Sequence, residues 1–201
     1  DTAKWIASLQ EGVQKYPDHP FFFGNLIDYY SNHKKFDDAM AFADNMIAKD
    51  PNNPFNVYVK GYLYHNMEDY DNALEYYKKT IELDPNYAEA YSNIGLIYCL
   101  KAQDFSEKAT SDVNDPKYAE DMAQLKTFYE QAKPYYEKAR ELKPDQKDLW
   151  LNGLYRVYYN LQMGPEYEEI EKLMNLSINA ETIFSSFFPA RIIRILKERV
   201  I

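Results

Sequence analysis

"DNALEYYKKTIELDPN" spans Asp71–Asn86. Apolar residues recur at three- and four-residue steps, with Ala73, Tyr77 and Ile81 on one side, and Pro85 stops the run. Alone, this is an amphipathic helix. Its columns, however, return at a fixed distance. Pro85 follows Pro51 by 34 residues, and Pro51 follows Pro17 by the same step. Ala73 is matched by Ala39, Tyr70 by Phe36 and Ile81 by Ile47. Gly61 is followed by Gly95, Tyr64 by Tyr98 and Val57 by Tyr91, again at 34 residues. A period of this size marks a stacked array. One helix pair cannot bury its apolar faces alone, so neighbours must cover them.

The columns Val57, Gly61, Tyr64, Tyr70, Ala73, Tyr77 and Pro85 resemble the tetratricopeptide repeat (TPR) pattern. Lys60 stands where that pattern usually has Leu. The resemblance covers roughly residues 1 to 174. It implies an all-α solenoid of antiparallel helix pairs wound as a right-handed superhelix. The glycines have a physical reason of their own. Gly inside a helix costs ~1 kcal/mol relative to Ala, which is tolerated where two helices must approach closely. Ala39, Ala73 and Ala132 are the small partners, and Tyr or Phe fills the gaps between layers.

The spacing divides the chain. Residues 1–19 hold a half repeat, with Trp5 in the Ala column. Trp5 either plugs the end of the stack or marks where upstream repeats were removed. Residues 20–53 and 54–87 are two regular repeats. Asp69 or Asp71 caps the second helix of the latter, and Asp50, Asp84 and Lys143 end helices because each precedes a proline. Repeat 3, residues 88–146, resumes its second-helix columns at Tyr129, Ala132, Tyr136, Ala139 and Pro144 after an insertion of ~25 residues. Both helices are expected to lengthen into a projecting antiparallel hairpin. Asp115 is expected to cap the second, with Pro116 in its first turn and a kink at Pro134. Residues 147–174 make a degenerate fourth pair turning at Gly164-Pro165. Together with "KPYYEKARELKPD" they resemble uncharacterised TPR proteins of Bacteroides-type bacteria.

Residues 175–201 change character. They hold four basic and two acidic side chains, against 19 and 30 in residues 1–174. Ile192, Ile193, Ile195, Leu196 and Val200 form an apolar face. This segment either caps the last repeat or docks on a neighbouring chain as a homo-oligomer contact.

The overall charge of -9 opposes a phosphate-binding surface, so no nucleic-acid partner is expected. No apolar run is long enough to span a bilayer. The single Cys99 cannot make an internal disulfide. The first residue is Asp1, so the chain is read as processed or cut from something longer, with a lean towards an exported or periplasmic location. His19, His33 and His65 lie apart, so no metal is expected. The six glycines are isolated, and no G-x-S-x-G occurs. With no site inventory the chain reads as non-enzymatic and without cofactors.

In the resembled family the second, fifth, ninth and twelfth repeat positions line a concave groove. They fall here on Phe21, Gly24, Asp28 and Ser31, then on Phe55, Tyr58, Tyr62 and His65, then on Glu89, Ser92, Leu96 and Cys99. A family subtype clamps a peptide carboxylate with cations. Here Gly24, Asp28, Glu89 and Asn93 occupy those places, so a carboxylate would meet negative charge. The expected partner is therefore an apolar or basic protein or peptide segment. A small ligand such as a saccharide stacked on the tyrosines is the alternative, and an enzyme with a site near the hairpin is a weaker one.

Overall fold

The computed structural model describes residues 1–16 and 19–187. Nine α-helices follow one another there: α1 (Thr2–Lys15), α2 (Pro20–Asn32), α3 (Phe36–Lys49), α4 (Pro54–Asn66), α5 (Tyr70–Leu83), α6 (Ala88–Ser106), α7 (Tyr118–Leu142), α8 (Leu151–Asn160) and α9 (Gly164–Phe187). A single 3-10 turn, Lys147–Leu149, precedes α8. No strand occurs among the described residues. The chain is an all-α solenoid of antiparallel pairs, with α2, α4, α6 and α8 as its inner helices.

The helix ends follow from local chemistry. Asp50, Asp84 and Lys143 all sit in extended or near-extended backbone as C-caps, as their following prolines require. Pro20 and Pro54 open α2 and α4, where a missing N–H costs nothing. Asn53 Oδ1 accepts from the Phe55 N–H at 3.0 Å. Asp69 is the cap of α5 and accepts from Asn72 N–H. The turns within three of the pairs share one geometry. Lys34, Glu68 and Gln162 adopt φ of 53°, 59° and 55°. The next residue in each case donates back across five residues, Lys35 to Tyr30 O, Asp69 to Tyr64 O and Met163 to Tyr158 O. This is the Schellman closure, which satisfies carbonyls left over at a helix end.

The third pair carries the hairpin. α6 and α7 are the longest-contacting neighbours in the array, and Phe105 meets Phe128 near its tip with ring centroids 6.0 Å apart. α7 begins later than the sequence suggests. Its cap is Lys117, and Asp115 instead accepts from the Lys117 N–H at 2.8 Å in the preceding turn. Pro116 therefore lies before the helix, because the aspartate closes a tight turn of its own. α7 runs on through Pro134 as one helix.

Three successive clusters make the core, one over α1–α4, one over α4–α6 and one over α6–α9. Phe23 and Tyr62 belong to the edges of the first two, and Tyr98 to the last two. Between pairs, buried polar side chains fasten helix ends. Asn56 donates to Met46 O and Asp50 O, and Trp150 Nε1 donates to Lys143 O. Trp5 stands edge-on to Tyr29 at 6.1 Å and keeps 43% of its surface exposed, so it covers that ring without being buried.

Candidate functional site: the inner helical face

The glycine columns decide how closely each pair packs. A Cβ on Gly61 would lie 2.9 Å from Tyr77 Cδ1, and one on Gly95 would lie 2.7 Å from Tyr136 Cδ2. Both contacts are closer than carbon atoms tolerate, so only Gly lets these rings lie on the helix backbone. Tyr136 is pressed from the other side by Gly153 of α8, where a Cβ would fall 2.2 Å from the ring. The first repeat exchanges the sizes. Ile27 occupies the Gly column and Ala43 the Tyr77 column, and both are buried. α2 accordingly touches α3 far less than α4 touches α5.

That spreading opens an outer groove of about 840 Å³ between α1 and α3, floored by Tyr29 and Tyr30 and walled by Ile6 and Phe42. In the next interval the matching space is shut. Tyr64 stacks on Tyr76 with centroids 5.5 Å apart, and Lys60 lies over the Tyr76 ring while bonding Asp44. The same stack returns as Tyr98 on Tyr135 at 6.0 Å. Leu26 replaces Lys60 in the first repeat and is buried, so no cation from α2 reaches across, and the groove is spanned instead by Lys49 Nζ donating to Gln14 at 3.3 Å.

The expected groove residues divide. Phe21 is 54% exposed, Asp28 is exposed, and Gly24 faces open space. Phe55 is half-buried, with Phe23 edge-on at 5.8 Å, and Phe23 meets Tyr62 at 5.4 Å. Glu89 is half-exposed. Phe23, Phe55 and Tyr62 form an aromatic cluster between α2 and α4, while Phe21, Asp28 and Glu89 stand elsewhere on α2 and α6. Phe23 belongs to the cluster although its column is a packing one.

Tyr58 departs from the expected lining. Only 9% of it is exposed, its ring lies 4.9 Å from Tyr87 and 5.5 Å from Tyr77, and its hydroxyl accepts from Asn93 Nδ2 at 3.0 Å. The column holds Gly24 and Ser92 in the neighbouring repeats, so a large ring at this position folds between helices instead of standing on the surface. Burial pushes the Tyr58 phenol far above its ordinary value. Ser92 is engaged too, donating to Leu149 O at 2.5 Å. His65 is half-buried between Tyr70 and Tyr77, and desolvation holds its imidazole below the usual value. Cys99 is buried, with its thiol pushed up to about 11 by burial, which suppresses the nucleophilic thiolate.

Charge is sorted across the wall. Lys60 and Lys101 belong to inner helices, yet they reach Asp44 of α3 and Asp71 of α5 in the outer layer. Asp28 and Glu89 make no ion pair with any described residue. Among the described residues no three His, Cys, Asp or Glu side chains gather as a metal-holding group. No described helix is long and apolar enough to cross a membrane.

This stacking of helix pairs defines a helical repeat solenoid. The TPR repeat family pattern matches residues 61–101, the copy with the most regular columns, and the fold is a TPR-type solenoid. The structure is similar to that of MamA, with 16% identity and a TM-score of 0.52, over 92% of this chain and 85% of MamA. It is also similar to human IFIT1, solved as a dimer with m7Gppp-AAAA, at 20% identity and a TM-score of 0.61. That match covers 84% of this chain but only 36% of IFIT1, so the chain spans about a third of that protein. A Bacteroides ovatus protein matches at 17% identity and a TM-score of 0.50, over 85% of this chain and 89% of its own. No curated protein matches the sequence. Solenoids of this type offer extended concave surfaces for protein partners.

Proposed function

We propose that this chain is a non-enzymatic scaffold that binds a basic, apolar peptide or protein segment along its inner face. The sorting of charge carries this reading. Lys60 and Lys101 are drawn into the outer layer, whereas Asp28 and Glu89, on the same set of helices as Phe21, Phe55 and Tyr62, keep no ion pair among the described residues. An aromatic cluster on a face with unpaired carboxylates favours aliphatic side chains interleaved with Lys or Arg. An anionic ligand meets repulsion there.

The saccharide alternative is weakened by Tyr58, whose ring faces are already occupied by Tyr77 and Tyr87. Fluorescence anisotropy with two labelled peptides of equal apolar content, one basic and one acidic, tests the proposal. The basic peptide should bind, and the Asp28→Asn, Glu89→Gln double variant should weaken it about tenfold. Equal affinity for both peptides, or no loss in the variant, would refute the inner-face assignment.

A further inference from the structure

The chemistry that the inner face calls for is written elsewhere in the same chain. Residues 188–201 read "FPARIIRILKERVI" and lie outside the described residues. They place Arg191, Arg194, Lys197 and Arg199 against a single acid, Glu198. Between these cations stand Ile192, Ile193, Ile195, Leu196 and Val200. The remainder of the chain is acidic, with 31 acidic against 19 basic side chains in residues 1–187. We propose that the inner face of one copy receives residues 188–201 of a second copy. This rests on the inner-face reading above and names its occupant.

Three observations converge. The first is sign. The segment is basic, while the inner side chains Asp28 and Glu89 lack cationic partners and the nearby lysines are already engaged. The second is apolar content. Phe23, Phe55 and Tyr62 form an aromatic cluster partly open to solvent, and closely spaced aliphatic side chains can lie against it. The third is reach. The described chain ends on α9, an outer helix of the fourth pair, whereas Asp28 lies on the first pair. Three steps of ~10 Å separate those pairs. Arg191 stands only four residues beyond Phe187, a span of at most ~14 Å even for a fully extended chain. It therefore falls short of Asp28 on its own chain. A second copy is not bound by that limit. Such a contact joins unlike surfaces, so it closes by reciprocal exchange or continues into longer assemblies.

Light scattering on the full chain, over a range of concentrations, tests the proposal. Wild type should exceed the monomer mass of 23.8 kDa as concentration rises. Raised salt should reverse the association. Arg191→Glu with Arg194→Glu should return the chain to monomer, and so should Asp28→Arg with Glu89→Arg. Mixing the two double variants should leave the reversed tail and the reversed face matched, and association should return. Circular dichroism of each variant should match wild type, because Asp28 and Glu89 lie outside the core clusters. A wild-type chain that stays monomeric, or a mixture that fails to associate, overturns the proposal. If a basic test peptide nevertheless binds the monomer, the inner-face reading stands and only the choice of occupant falls. If no peptide binds either, both fall.

Discussion

The first and second repeats solve one packing problem in opposite ways. In the second, Gly61 lets the Tyr77 ring lie against the backbone of α4. In the first, Ile27 supplies the bulk from the inner helix, and Ala43 gives way on the outer one. Both pairings fill the interior. Only the second draws its helices tightly together and allows Tyr64 to stack on Tyr76. In the first, Tyr30 turns to Tyr29 and takes a hydrogen bond from Gln10, and the groove beside it stays open. A repeat column is therefore a statement about a pair of positions. The residue at one is interpretable only with its partner.

The comparison can be broken most severely at Tyr77. Tyr77→Ala removes a fully buried ring and should cost about 4 kcal/mol in urea unfolding. Gly61→Ile alone, which copies half of the first repeat, should cost about 3 kcal/mol through overpacking against Tyr77. The two together reproduce the Ile27–Ala43 arrangement and should cost clearly less than their sum in a double-mutant cycle. Additive losses would mean that the size exchange is not a matched pair.

A smaller effect sharpens the difference in closure. Lys60→Leu copies Leu26 and removes both the Asp44 bond and the contact with the Tyr76 ring. It should cost about 1 kcal/mol, because one partner, Asp44, is exposed. An unchanged unfolding midpoint would show that the second groove is held shut by the tyrosine stack alone.

pH offers a separate handle, because the second repeat has His65 where the first has Ser31. Burial keeps the His65 imidazole below its usual value, so the unfolded chain takes the proton more readily. Stability from this group is complete above the ordinary value of about 6.5 and falls as pH drops through it towards the depressed one. Thermal unfolding between pH 7.5 and 5.5 should therefore flatten in His65→Gln. A slope identical to wild type would assign the acid sensitivity to other groups.

The smallest expected effect is shared by both repeats. Lys34 and Glu68 hold positive φ at equivalent turns. Lys34→Gly or Glu68→Gly should each raise stability by up to about 1 kcal/mol, since Gly adopts this backbone without strain. A loss on substitution would show that the side chain contributes more than the backbone relief.

The period, the helix pairs and their ends were legible because they depend on local rules. Prolines end helices through the residue before them, and a 34-residue column survives one or two exceptions. Insertion of a hairpin was also readable, since Ala132, Tyr136 and Pro144 resume the pattern intact. The cap of α7 was misplaced because Asp115 can close either a helix or a turn, and the residues after Pro116 decide between them. Tyr58 was misplaced for a different reason. Its column faces outward when the residue is small, but a large ring finds Tyr87 and Tyr77 within reach. The outer groove at α1 and α3 had a visible signal in Ile27. Its meaning depends on how far two helices move apart, which no column records.

Tyr136 extends this contrast into mechanics. It is gripped by Gly95 on one side and Gly153 on the other, so three helices share one rigid ring. A rivet of this kind resists shear between the third and fourth pairs. Among the described residues, the first pair has no such fastening between its helices. Bending of the array under load should therefore concentrate near α2 and α3, making the molecule a stiff arm with a compliant wrist.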